Sequence, residues 1–235
     1  MRPAPLALRL VLAAPSLAVL PARAAAQSAV LFAASAQPDT ADAGAFAVTG
    51  GALRYTVTRD GVLRGPLGPG ARAVRLPNPD QGEVDRVWGA PHAGALLLAV
   101  QWTDGEGFWT EVARFDAATL ARRWSLHLPG FNLGPALVGG DTAYLTVTGV
   151  VAAVDLRTGR TRWQRGGLYE RTGRSDSFGL PRLRGDTLVV PAEPPTSGGP
   201  GATVYLLART GRLLRVTGAP PRAGRGTTSG VPARN

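Results

Sequence analysis

The sequence predicts an all-β protein, a row of about four small sheets of four antiparallel strands each. Three observations carry that expectation. Apolar and β-branched runs of about five residues are separated by short glycine turns. Glycine (31) and proline (20) exceed a fifth of the 235 residues, and both interrupt helices. Asp, Thr and Trp also recur at an offset of 39 residues, as Asp116, Thr119 and Trp124 and again as Asp155, Thr158 and Trp163.

An apolar fraction of 44% suffices for a core, and 18% charged residues argues against a disordered polyelectrolyte. With no cysteine there is no disulfide framework, thiolate metal site, cysteine nucleophile or acylated-cysteine anchor. The net charge is +10, and every Lys/Arg position is arginine. Such a field can attract nucleic acid or an anionic surface. Compositional bias and solubility explain it more simply.

In chain order, residues 1–26 have the three parts of a secretory signal. Arg2 and Arg9 are basic, the run 10–20 is apolar, and Ala24 to Ala26 are small residues ahead of cleavage near Ala26. The apolar run is too short to span a bilayer about 30 Å thick, so no membrane span is expected after signal removal. Residues 27–44 read as a linker. Strands follow at 45–49, 52–58, 62–64 and 71–76, with Asp60-Gly61 as a hairpin turn. The apolar run 94–102 turns at 103–107 and returns over 108–115. A tight meander occupies 143–147, 150–155 and 160–164, turned at Thr148-Gly149 and at Arg157-Thr158-Gly159.

The end of that meander is the clearest repeat. Asp155 can accept N–H groups of the turn that follows, and Thr158 can do so weakly. Gly159 can take the positive φ of the hairpin. Trp163 offers a flat face, and an indole N–H that needs an acceptor when buried. Residues 116–124 are a weaker copy with Leu120 in place of the glycine. Residues 204–216 are a degenerate one, keeping Thr210 and Gly211 while Leu207 replaces the Asp and the Trp is lost. Gly140-Asp141-Thr142 is echoed by Gly185-Asp186-Thr187, and a Pro/Gly/Ser-rich insertion at 192–202 lengthens the last copy. A period near 40 residues with about four strands is that of a β-propeller blade. The repeats are expected over 45–217, as a closed small ring or an open arc, with a disordered basic tail at 218–235.

The pattern Ala153-x-Asp155-x-x-Thr158-Gly159-x-x-x-Trp163 resembles the tryptophan-docking repeat of the PQQ-like propellers, the quinoprotein alcohol dehydrogenase-like family. The resemblance covers about residues 90–216. It implies blade-docking roles for Asp116, Thr119, Trp124, Asp155, Thr158, Gly159, Trp163, Thr210 and Gly211. Catalytic members hold PQQ with calcium and an acidic base on about eight blades, some with a vicinal cysteine pair. Other members are envelope scaffolds. With no cysteine and room for about four blades, the expectation is a non-catalytic binding module, periplasmic or secreted, without cofactor. A degenerate or partial PQQ-dependent dehydrogenase is the runner-up. An envelope protein or polymer is the expected partner, with no specific nucleic acid binding, and a homodimer would be one way to complete a ring.

The remaining candidates read as structural. His92 and His127 lack metal-ligand spacing and suit a turn and a strand. Ser175-Asp176-Ser177 is a polar loop, and no Gly-x-Ser-x-Gly elbow occurs. Asp39 and Asp42 are linker charges. Asp80, Glu83 and Asp85 form an acidic loop without the pattern of a calcium loop. Asp104 and Glu106 belong to a hairpin tip. Trp88, Trp102 and Trp109 suit inter-blade core better than a carbohydrate or peptide surface. The arginines Arg209, Arg212, Arg215, Arg222, Arg225 and Arg234 run to the end with no acid among them, and no aromatic platform for single strands accompanies the tail.

Overall fold

A computed structural model describes residues 29–31, 45–50, 53–66, 70–78, 82–196 and 198–218. The short β1 (Ala29–Leu31) is followed by four meanders. The first is β2 (Ala45–Gly50), β3 (Leu53–Thr58), β4 (Val62–Gly65) and β5 (Arg72–Arg75). The second is β6 (Glu83–His92), β7 (Ala95–Thr103), β8 (Phe108–Asp116) and β9 (Arg122–Leu128). The third is β10 (Ala136–Gly139), β11 (Thr142–Val147), β12 (Val150–Asp155) and β13 (Thr161–Arg165). The fourth is β14 (Arg182–Arg184), β15 (Thr187–Ala192), β16 (Ala202–Leu207) and β17 (Leu213–Thr217). Each meander is one antiparallel sheet in sequence order, and β1 adds to the β10 edge of the third. Among the described residues the protein is all-β, with one 3-10 turn at Glu170–Thr172.

Burial explains why the middle strands are so apolar. A sheet inside a stack is covered on both faces, so alternate residues serve different neighbours. In β7, Leu96, Leu98, Val100 and Trp102 pack toward the first sheet, whereas Leu97 and Ala99 pack toward the third. In β12, Ala152 and Val154 face the second sheet, and Val151 and Ala153 face the fourth. β16 is different. Ala202, Val204 and Leu206 are buried, while Thr203, Tyr205 and Leu207 are half-buried, which marks a sheet covered mainly on one side.

Three core clusters fill the three gaps between successive sheets. Among the described residues, none joins the fourth sheet to the first. Of the two expected arrangements, the described residues show the packing of an open array.

Several expectations need correction. Glu83 and Asp85 lie in β6 and not in a loop, and His92 ends the same strand. Within the stretch read as linker, Ala29–Leu31 pairs with β10. The strands β6, β10 and β14 were not anticipated. β6 contains Gly89 and Pro91, which weaken a strand pattern, and the other two are only four and three residues long. The signal segment, Asp39, Asp42, Asp80 and the tail beyond Gly218 lie outside the described residues.

Candidate functional site

The recurrent motif closes a turn and reaches the next sheet. The Asp155 Oδ1 accepts the N–H groups of Arg157 (3.0 Å) and Thr158 (2.9 Å) and the Thr158 hydroxyl (3.0 Å). Its Oδ2 meets Arg162 at 2.6 Å. Asp116 repeats this set with Ala118, Thr119 and Arg123. Arg123 and Arg162 are thus motif members that sequence reading missed, although both precede the Trp at the 39-residue offset.

Trp124 Nε1 donates to Leu156 O at 3.0 Å, and Trp163 Nε1 to Ala208 O at 2.8 Å. Leu156 and Ala208 each stand one residue after the Asp position of the following sheet. The turn glycine provides the room. A β-carbon on Gly159 would lie 2.6 Å from Trp124 Cδ2, and one on Gly211 would collide with Trp163. In the fourth sheet, where Leu207 replaces Asp, Gly211 N–H still bonds Leu207 O at 2.8 Å, so backbone bonds keep the turn.

The first gap is built differently. No Trp stands on β5, and Leu120 occupies the glycine position of the second sheet at φ 58°, buried beside Tyr55 and Leu63. The Tyr55 hydroxyl donates to Ala117 O at 2.9 Å, the carbonyl equivalent to Leu156 and Ala208. Glycine stands where a docking Trp arrives, and leucine where none does. Each choice fills the space the partner leaves.

Thr119, through its N–H and hydroxyl, and Arg123 hold the Asp116 carboxyl well below its ordinary range. Arg162, then Thr158, do the same for Asp155. A depressed folded value stabilises above the unfolded pKa of about 3.9 and is lost as pH falls below it. The thermal midpoint should therefore fall on acidification below about pH 4, and the fall should be smaller in D116N/D155N. Equal slopes in thermal melts across that range would refute this assignment.

A cavity of about 470 Å³ lies where the second, third and fourth sheets meet, lined by Arg86, Trp88, Asn132, Asp176, Ser177 and Glu193 among others. Glu193 Oε2 accepts from Ser177 at 2.7 Å, and Asp176 Oδ2 from Thr196 at 2.9 Å. Arg86 donates to Leu133 O at 3.3 Å. The polar loop at Ser175-Asp176-Ser177 therefore lines this cavity through Asp176 and Ser177, which sequence spacing did not reveal.

The other candidates are dispersed. His127 Nδ1 lies 2.9 Å from the buried Glu111, and His92 Nε2 lies 3.1 Å from Gly140 O. Trp88, Trp102 and Trp109 are buried between sheets. Asp104 caps its own hairpin by accepting from Glu106 and Gly107 N–H. Among the described residues no group of three or more His, Cys, Asp or Glu gathers to hold a metal, and no helix is long and apolar enough to cross a membrane.

Four-stranded meanders, two of whose contacts are joined by an indole-to-carbonyl bond over a turn glycine, form a propeller-like blade array. No family model and no curated protein matches the chain. Among solved structures it is similar to BamB from Moraxella catarrhalis, at 19% identity and TM-score 0.46, over 72% of this chain and 46% of that one. It is also similar to a europium-containing methanol dehydrogenase (15%, TM-score 0.36, 52% and 24%). A third is the quinohemoprotein alcohol dehydrogenase ADHIIG from Pseudomonas putida HK5 (15%, TM-score 0.46, 74% and 33%). The chain spans less than half the length of each.

Proposed function

We propose that the protein is an exported, non-catalytic binding or scaffold module of the cell envelope. The observation that carries this reading is where the repeated residues spend their hydrogen bonds. Asp116 and Asp155 serve their own turns, and Trp124 and Trp163 serve the neighbouring sheet. The most regular feature of the sequence thus supports the stack and leaves its surfaces for function. The signal-like segment 1–26 supports export. An envelope protein is the favoured partner, ahead of nucleic acid.

The runner-up, a partial PQQ-dependent dehydrogenase, meets an electrostatic objection. PQQ is a tricarboxylate, and the cavity faces it with Asp176 and Glu193 against Arg86 alone. Its charge balance does not fit that cofactor.

With PQQ and calcium added at saturating concentration, the thermal midpoint should stay fixed and no artificial electron acceptor should be reduced. Ligand binding to the folded state necessarily raises apparent stability. A rise of several degrees together with dye reduction would replace this reading by the runner-up.

A further inference from the structure

The outer face of the fourth sheet differs in chemistry from the corresponding face of the third. Aligning the third and fourth sheets through Gly140-Asp141-Thr142 and Gly185-Asp186-Thr187 places Arg182 at the position of Leu137 and Val189 at that of Tyr144. Aligning them through Thr158-Gly159 and Thr210-Gly211 places Tyr205 at Ala153 and Arg215 at Trp163. In the third sheet these positions form the apolar face buried against its neighbour. In the fourth they form one cross-strand row, Arg182–Val189–Tyr205–Arg215, set by the register of β14 through β17. The row spans three strand spacings, about 14 Å.

Its chemistry is that of an interface with a charged rim. Arg182, Arg184 and Arg215 are exposed, and among the described residues none is ion-paired. The Arg215 guanidinium lies 4.2 Å from the centre of the Tyr205 ring. The four strands of this sheet contain no Asp or Glu, the nearest acids in sequence being Asp186 in the β14–β15 turn and Glu193 just after β15. The half-buried Tyr205 provides an apolar centre between the arginines, over the buried Val189, and Arg and Tyr are the residue types that anchor protein interfaces.

A second copy fits this face poorly. Arg54 and Arg64 are exposed on the first sheet, whose strands likewise contain no acid. Both end-to-end and fourth-to-fourth contacts would then oppose like charges. The segment 219–235 adds three more arginines and no acid. An anionic polymer without apolar groups would leave the exposed part of the Tyr205 ring uncovered.

We propose that the row Arg182–Val189–Tyr205–Arg215 is a docking surface for an acidic protein segment bearing aromatic or other apolar side chains. This rests on the binding-module reading and names its partner chemistry. The probe is a random glutamate–tyrosine copolymer, compared by fluorescence anisotropy with heparin as a purely anionic polymer.

The copolymer should bind more tightly than heparin. R182E/R215E should weaken it about tenfold or more, and R54E/R64E on the first sheet less than threefold. Thermal melts of both variants check folding, and R182Q/R215Q replaces the first if it melts early. Four results would overturn the proposal. They are no copolymer binding, equal loss in both variants, heparin bound as tightly and lost with the same variant, or a wild-type dimer by light scattering that R182E/R215E dissolves. A chain ending at Gly218 that binds tenfold tighter would assign the face to the protein's own terminal segment, and would overturn it too. Any of these leaves the PQQ and calcium test untouched, so the two readings fail separately.

Discussion

Gly159→Ala should destabilise the protein by about 2–4 kcal/mol, combining the left-handed backbone cost with overpacking. Gly159 sits at φ 72°, and the added methyl carbon would stand 2.6 Å from Trp124 Cδ2. The neighbour cannot move freely, because Trp124 is held by its bond to Leu156 O and packs against the second core cluster's apolar side chains. Two costs are therefore present, and a double-mutant cycle separates them. In W124A the collision disappears while the backbone cost stays, so G159A should cost only about 1–2 kcal/mol in that background. The measurement is chemical denaturation of all four proteins. Additive effects would show that the glycine serves its turn alone and that docking places no demand on it.

Trp102→Ala should cost about 3–5 kcal/mol, the range for emptying a fully buried aromatic site. Trp102 has no exposure, and its ring covers Gly61 of the first sheet so closely that a β-carbon there would collide. Its Nε1 is a buried donor without an acceptor among the described residues. Trp102→Phe keeps most of the volume and removes that donor, so it should cost no more than about 1 kcal/mol. Trp163→Phe provides the contrast. It discards the bond to Ala208 O and strands a carbonyl, costing about 1–3 kcal/mol. Should W102F prove as damaging as W102A, the weight at this position would lie in the N–H and not in packing.

Much of the fold was legible because its signals are local. Turn glycines, the Asp-x-x-Thr spacing and β-branched runs act within a few residues, so β7, β8, β11 and β12 could be read directly. Strands β6, β10 and β14 were hidden, since Pro91 and short length weaken the local pattern and only pairing with the next strand stabilises them. The interior of the first gap was also hidden. Leu120 looked like a decayed glycine, yet it fills the space left because no Trp stands on β5. Arg123 and Arg162 repeated visibly, but their carboxylate partners emerge only when the hairpin folds back.

By itself the sequence determined the strand-rich class, the period near 40 residues and the residues that close each turn. Those depend on backbone conformation and on hydrogen bonds between near neighbours. Tertiary structure alone decided which carbonyl each Trp reaches, which loops line the cavity with Asp176 and Glu193, and that the outer face of the fourth sheet bears arginines. The physical reason is sequence separation. Trp163 and Ala208 are 45 residues apart, and no local preference fixes a contact that exists only once two finished sheets lie against each other.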